Sequence, residues 1–354
     1  MPLPFVSECE LQLKQTLQQH NNHTRHIKND RLETIKPGYR GNKTINGRFA
    51  NGEELYNPDF RKVLRWQLSR NPQREQKKHD DYTPLVQEGS DFIHDQRDML
   101  VWLGHASFFI RLNGITFLTD PVLYDIPLVK RKVGLPCAPE ELKNIDFLLL
   151  SHAHRDHLDK KSIQTIFENN PQVKALAPLR AGDILRSVNP NLPYQEAGWY
   201  QKFDLVPGSV EVYFLPASHW HRRGLLDMNK VLWGSFLLKT PDLTVYFAGD
   251  TGLDGHFEEI EELLGPMDVC LMPVGAYKPS FLMRRSHLNP NEAVKAYNQL
   301  RGGLFIPMHY GTYDLSDEPA SEPVRLLEQL AASGVLQGLR IPAIGEPVLL
   351  HDMI

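Results

Sequence analysis

The chain has 354 residues, a formal net charge of −4, 41% hydrophobic residues and 23% charged residues. Such a length can bury one large core or two ordinary ones, and the composition is that of a water-soluble folded protein. The acidic balance argues against nucleic acid as a partner, because a polyanion is gripped by a concentrated basic face. Three widely spaced cysteines, Cys9, Cys137 and Cys270, make no disulfide framework and are expected as buried or free thiols in a reducing compartment.

The N-terminus, "MPLPFVSECELQLKQTLQQH", carries acidic residues and no long apolar run, so it does not read as a secretory signal. No stretch approaches the roughly 18 apolar residues of a membrane span. A cytoplasmic location is expected, with peripheral contact at a membrane left open. Ser7 and Glu10 have capping-box spacing ahead of Leu11, Leu13 and Leu17, which predicts a short amphipathic helix. Residues 1–96 are otherwise polar and turn-rich, and are expected to wrap the main domain as an extension. One helix stands out there: Asn57 can cap, Pro58 suits the first helical position, and Phe60, Val63, Leu64 and Leu68 follow at helical spacing.

Residues 97–354 have a different character and are expected to form a catalytic domain. "MLVWLG", "SFFIRL" and "ITFLTD" read as strands, with Asn113-Gly114 a hairpin turn between the last two. "IDFLLLS", "VKALAP", "VEVYFLPA", "LWGSFLLKT", "LTVYFAGD", "DVCLMPVG" and "GLFIPMH" continue the strand series. Helices are expected over Lys160–Asn169, His256–Leu264, Pro290–Leu300 and Glu322–Ala332. Hairpin-paired strands followed by strands alternating with helices predict an α/β protein of two mixed sheets covered by helices.

The chemistry is concentrated in "LLLSHAHRDHLDKK". His152, His154, Asp156 and His157 form H-x-H-x-D-H where a buried strand ends. One such loop can offer two imidazoles to one metal ion, and a carboxylate with an imidazole to a second. Neutral imidazole and carboxylate suit Zn²⁺ with an open position for water. Further candidates stand where other strands end: His219 in "FLPASHW", Asp250 in "YFAGDTG", whose two oxygens can bridge two cations, and His309 in "FIPMHYG". Each alone reads as a hydrogen-bonded core residue; after an H-x-H-x-D-H loop they read together as ligands.

From about Met99 onward the order of these motifs resembles that of the metallo-β-lactamase-fold hydrolases. The resemblance implies a four-layer αββα sandwich with two zinc ions per chain. His152, His154 and His219 would hold the first ion; Asp156, His157 and His309 the second; Asp250 would bridge them. Aspartate at 250, where true β-lactamases of the fold commonly carry cysteine, favours a phosphodiesterase or esterase centre. Histidine at 154, where the di-iron oxidoreductases commonly carry glutamate, favours zinc. "WLGHASFFI", "FLTDPVL", "HWHRRGLLDMNKVLWGS", "PVGAY" and "MHYGT" narrow the resemblance to the N-acyl-phosphatidylethanolamine-hydrolysing phospholipases D and their bacterial relatives. That implies attack by a metal-bridging hydroxide on a phosphodiester, giving an N-acylethanolamine and phosphatidate. Asp156, Asp250 and His287 would then be catalytic, with His287 lining the site to stabilise an oxyanion or protonate the leaving group.

Asp120 and His105 are candidates for orienting the ligands. Arg222 and Arg284, each beside a second arginine, are candidates for meeting a phosphate or an anionic headgroup. The run Lys130–Lys132 is a candidate for a membrane surface, and "SFLM" (280–283) for an acyl groove. A phospholipid or other phosphodiester is thus the expected substrate, and a homodimer is an open option. A lactonase or other ester hydrolase acting on a soluble substrate is the alternative reading. A nuclease and a non-catalytic metal-bound module stand behind it.

Overall fold

The computed structural model describes residues 23–52, 55–56, 59–205 and 210–350. The helix expected near Ser7, Cys9 and the pair Asn57-Pro58 lie outside these residues. The extension contributes strands β1 (Thr24–Ile27), β2 (Glu33–Thr34), β3 (Asn42–Ile45) and β4 (Arg48–Phe49). Helices α1 (Phe60–Leu68) and α2 (Arg74–Lys78) follow. The cap of α1 is Asp59, not Asn57, because the Asp59 carboxylate accepts the N–H of Arg61, satisfying one of the unpaired donors of the first turn. The apolar side chains of α1 do not all enter the core: Leu64 is 44% exposed and Leu68 79%.

The main domain opens with β5 (Met99–Gly104), β6 (Ser107–Leu112) and β7 (Ile115–Thr119), then β8 (Phe147–Leu149) and α3 (Lys160–Asn169). Next come β9 (Lys174–Pro178), α4 (Gly182–Val188), β10 (Tyr194–Ala197), β11 (Gln201–Lys202), β12 (Glu211–Leu215), β13 (Ser235–Lys239) and β14 (Thr244–Phe247). The chain continues through α5 (His256–Leu264), β15 (Val269–Pro273), α6 (Ser280–Met283), α7 (Pro290–Gln299), β16 (Leu304–Met308), α8 (Glu322–Ala332) and β17 (Pro347–Leu349). One seven-stranded sheet runs β10-β9-β8-β7-β6-β5-β17 and a second runs β16-β15-β14-β13-β12-β11-β2. Both are mixed: β5, β6 and β7 pair antiparallel and β7, β8, β9 parallel, while β12, β13, β14 pair antiparallel and β14, β15, β16 parallel.

Period-two alternation sorts the side chains between layers. Along β5, Leu100 and Trp102 join the cluster that also holds Phe214, Phe236 and Tyr246 of the other sheet, so they fill the space between sheets. Met99, Val101 and Leu103 instead join Ile163 and Ile166 of α3 and Leu185 of α4, on the outer face. Phe257 and Ile260 of α5 and Ala293 and Tyr297 of α7 cover the second sheet. The four-layer αββα arrangement follows. Helix α7 starts where the sequence says it should: Asn289 accepts from Glu292 N–H, Glu292 reaches back to Asn289 N–H, and Pro290 takes the first turn.

The extension is tied to the second sheet. β2 pairs with β11, the Gln201 amide bonds with Asn29, and fully buried Phe49 donates its N–H to Asn229 O (2.7 Å). Its second half lies against α6: Arg65 stands over the Phe281 ring at 5.5 Å, and Trp66 Nε1 donates to Asp317 (3.0 Å). Cys137 and Cys270 are free thiols, the latter buried. Among the described residues no helix is long and apolar enough to cross a membrane.

Candidate metal centre

Strands β8, β12, β14 and β16 all end along one edge of the sandwich, and the loops that follow them carry the histidines and aspartates singled out by sequence. All seven come together there. His154 Nδ1 lies 3.0 Å from His152 Nε2 and 3.1 Å from His219 Nε2, forming one nest of three nitrogens. In a second nest His157 Nε2 and His309 Nε2 are 3.2 Å apart, each 3.7 Å from Asp156 Oδ2. Asp250 stands between them: Oδ2 is 3.2 Å from His157 Nε2 and 3.9 Å from both His152 Nε2 and His219 Nε2, while Oδ1 is 3.2 Å from His309 Nε2.

The donor set fits metal ions. Tetrahedral coordination at about 2.0–2.1 Å spaces its ligands about 3.3 Å apart, close to what the three-nitrogen nest already has. Asp250 Oδ1 is buried and out of line for any hydrogen bond, as is His309 Nδ1. A buried carboxylate oxygen without a partner is costly unless a cation faces it. Among the described residues four overlapping groups could hold an ion: His152, His154 and His219; His105, Asp156, His157 and His309; Asp120, His152 and His157; and His219, Asp250 and His287.

The outward nitrogens are held from behind. Asp120 accepts from His157 Nδ1 (2.7 Å) and from Ser151 N (2.7 Å) and Oγ (2.5 Å), and Ser151 Oγ is 2.9 Å from His152 Nδ1. His219 Nδ1 donates to Ser286 O at 3.0 Å. Such partners fix the ring and its tautomer, so the inner nitrogen keeps its lone pair for a ligand. His105 Nε2 lies 3.3 Å from Asp156 Oδ2, and its carbonyl accepts the N–H groups of His309 and Trp102 (both 3.0 Å). Trp102 in turn stacks on Tyr310 at 5.0 Å, which couples the inter-sheet core to the site. His105, Asp120 and His309 all have positive φ (52°, 30° and 64°), strain of the kind that tightly built sites sustain.

Gly249 shows why the Asp250 strand can come so close. Its φ is +57°, and a Cβ there would sit 2.8 Å from Ser151 Cβ and 3.0 Å from Gly234 O. Only glycine lets that turn press against the loop that carries His152.

Electrostatics divide the cluster. Burial alone would raise the Asp156 and Asp250 carboxyls, yet His157 and the other imidazoles around them hold both well below the usual carboxylate range. Burial would lower His157 and His309, but the carboxylates push His157 well above its ordinary value and His309 up to about 9. His152 and His219 are driven down, by burial first and then by neighbouring imidazoles. The two carboxylates and the imidazoles of His157 and His309 thus stabilise one another's charged forms.

His287 projects toward the nests, with Nδ1 3.8 Å from Asp250 Oδ2 and its ring edge-on to His219 at 5.3 Å. It also lines a cleft of about 830 Å³ with Pro72, Tyr277, Pro279, Phe281, Arg284 and Leu326. Arg284 is exposed, its Nε 3.3 Å from Glu292 Oε1. Arg222 is exposed too, with Nε on Gly224 O (3.0 Å). The basic run Lys130–Lys132 is not one surface, because Arg131 turns inward onto the carbonyls of Leu103, Val122 and Val133. Sequence reasoning missed Ser151, which couples Asp120 to His152, although it abuts the motif. It also missed Tyr313, whose ring meets His105 edge-on at 5.1 Å, for which no sequence signal exists.

Fold and site together define a metal-dependent hydrolase. The beta-lactamase superfamily domain matches residues 116–310, and the chain belongs to that superfamily. It is 33% identical over 286 residues to N-acyl-phosphatidylethanolamine-hydrolyzing phospholipase D 1 of Caenorhabditis elegans, covering 77% of this chain and 80% of that one. It is 32% identical over 232 residues to a metal-dependent hydrolase of Caldivirga maquilingensis, covering 66% and 90%. Among solved structures, Igni18, a metallo hydrolase of Ignicoccus hospitalis, superposes with a TM-score of 0.56 at 22% identity, covering 72% of this chain and 98% of that one.

Proposed function

We propose that the protein is a zinc-dependent phosphodiesterase with two ions per chain, and that its substrate is an N-acyl-phosphatidylethanolamine, cleaved to an N-acylethanolamine and phosphatidate. The observation that carries this reading is the Asp250 carboxylate, one oxygen turned to His309 and the other shared between His157 and the three-histidine nest. In this reading His152, His154 and His219 would hold one ion and Asp156, His157 and His309 the other, with Asp250 available to both. Zinc ions held there supply a water that ionises near neutral pH and an electrophilic grip on phosphoryl oxygens.

The residues of the chain do the rest. Asp156, ionised, would accept a hydrogen bond from the attacking water and aim it at phosphorus, while Asp250, ionised and with an oxygen turned to each nest, would fix their spacing. His287 stands between the nests and the cleft, where it donates a hydrogen bond to the oxygen on which charge develops. The likeness to the nematode phospholipase D supports the lipid substrate. So does the cleft: its walls of Pro72, Pro279, Phe281 and Leu326 suit an acyl chain, and Arg284 at its lip suits an anionic group. Phe281, Leu225 and Leu226, exposed by 45%, 86% and 80%, support delivery from a lipid surface.

The test is a substrate panel presented to the metal-loaded protein: N-acyl-phosphatidylethanolamine vesicles, a water-soluble lactone and an oligonucleotide. The expected result is release of N-acylethanolamine from the vesicles alone, abolished by chelation and restored by zinc. Preference for the lactone selects the soluble-ester hydrolase instead.

A further inference from the structure

The H-x-H-x-D-H loop leaves the sheet after β8, so its backbone carbonyls must find donors elsewhere. His154 O accepts from His157 N (3.2 Å) and Leu158 N (2.9 Å), which closes the loop into one turn. The carbonyls on either side of that turn are collected by a single atom. Arg223 Nη1 donates to Ala153 O at 2.9 Å and Leu158 O at 2.8 Å, and also lies 3.3 Å from His154 O.

Arg223 belongs to a different loop, the one that follows His219. Its turn is closed by Asp227, whose carboxylate accepts the N–H of Arg223 (3.2 and 3.3 Å) and of Gly224 (2.8 and 2.9 Å). In the opposite direction Arg155 Nη2 reaches Arg223 O at 3.3 Å, so the two loops are clasped from both sides. The turn is anchored to the extension as well: Asn229 accepts from His221 N (3.1 Å), donates from its amide to Tyr56 O (2.8 Å), and receives Phe49 N–H on its carbonyl. His221 lies nearly parallel to the His154 ring at 6.4 Å. Adjacent arginines therefore face opposite ways: Arg222 is exposed, while Arg223 spends its guanidinium on backbone oxygens.

We propose that Arg223 is a positioning residue for the metal centre, fixing His154 and Asp156, one member of each nest, through the carbonyls on either side of them and making no contact with substrate. This rests on the reading of the cluster as a two-metal site. An arginine bound to a phosphate would point outward beside Arg222; this one points into the protein.

The test uses the full chain stripped of metal, titrated with zinc against a chromophoric chelator and, separately, loaded with cobalt for its visible spectrum. R223Q should weaken zinc binding by about 10- to 100-fold, the usual cost of losing a ligand's supporting contact, and should shift the cobalt bands. R223K should recover part of both, because a single nitrogen makes all three contacts. R222Q should bind zinc as the unaltered chain does. A zinc affinity and cobalt spectrum unchanged in R223Q, with KM raised on the metal-saturated enzyme, overturns the proposal and makes Arg223 a substrate contact. If R223Q does not fold, R223K decides: a measurable loss of zinc affinity supports the clasp, and unaltered affinity overturns it. An unaltered chain that binds no zinc overturns the two-metal reading and the clasp with it; one that binds zinc beside unaffected variants overturns the clasp alone.

Discussion

Inside the metal nests three of the imidazoles are braced from behind, by Asp120, Ser151 and the Ser286 carbonyl, and Asp250 is 2% exposed. At the neighbouring cleft Phe281 is 45% exposed and Arg284 reaches into solvent, and in the loop after His219 Leu225 is 86% exposed and Arg222 is exposed too. The difference separates two kinds of information. In the nests these three imidazoles are held by partners, of which Asp120 and Ser151 are bonded to each other, and in the proposed function that bracing sets the reaction. The cleft and loop side chains are exposed instead, and under the proposed function they would choose the substrate. Changes in the nests should therefore remove metal and chemistry together, whereas changes at the cleft should move KM and leave the metal alone.

The largest effect is expected from D250N, which replaces the carboxylate between the nests with a neutral amide. Metal analysis should find fewer than two ions per chain and turnover should vanish; two ions with full activity would remove Asp250 from its spanning role. D120N should come next, because it releases His157 and Ser151 at once. A loss of about 10- to 100-fold in zinc affinity is expected by chelator competition, and a change confined to KM would contradict it. G249A should act on the fold through the same place. A Cβ at φ +57° and 2.8 Å from Ser151 Cβ should cost about 1–3 kcal/mol in denaturant unfolding, and an unchanged midpoint would mean that the turn yields. The smallest effect belongs to the cleft: F281A should raise KM for long-chain substrate about fivefold, from the loss of roughly 1 kcal/mol of apolar contact, with metal content unaltered.

Much of the site was legible in the sequence because its ligands sit at strand ends, and strands of β-branched and aromatic residues announce where they stop. "FLLLS" before His152, "VYFAG" before Asp250 and "FIPM" before His309 each place a ligand within a few residues of a sheet edge. Helices α3, α5 and α8 were equally plain, being amphipathic along their length. What could not be read was whatever depends on distant partners. Lys130–Lys132 and Arg222-Arg223 look like exposed charge, and nothing in the sequence shows that Arg131 is drawn inward by the carbonyls of Leu103, Val122 and Val133, or Arg223 by those of Ala153 and Leu158 in a distant loop. The pairing of the two-residue strand β2 with β11 is equally non-local. Leu64 and Leu68 have helical spacing, but spacing does not reveal that parts of the stripe face water.

Anomalous diffraction at the zinc edge, from crystals of the unaltered chain grown with zinc, tests the central claim most directly. Two peaks are predicted, one within about 2.1 Å of His152 Nε2, His154 Nδ1 and His219 Nε2, the other at the same distance from His157 Nε2 and His309 Nε2, with Asp250 touching both. A single peak, or a second one away from Asp156 and His309, would contradict the account.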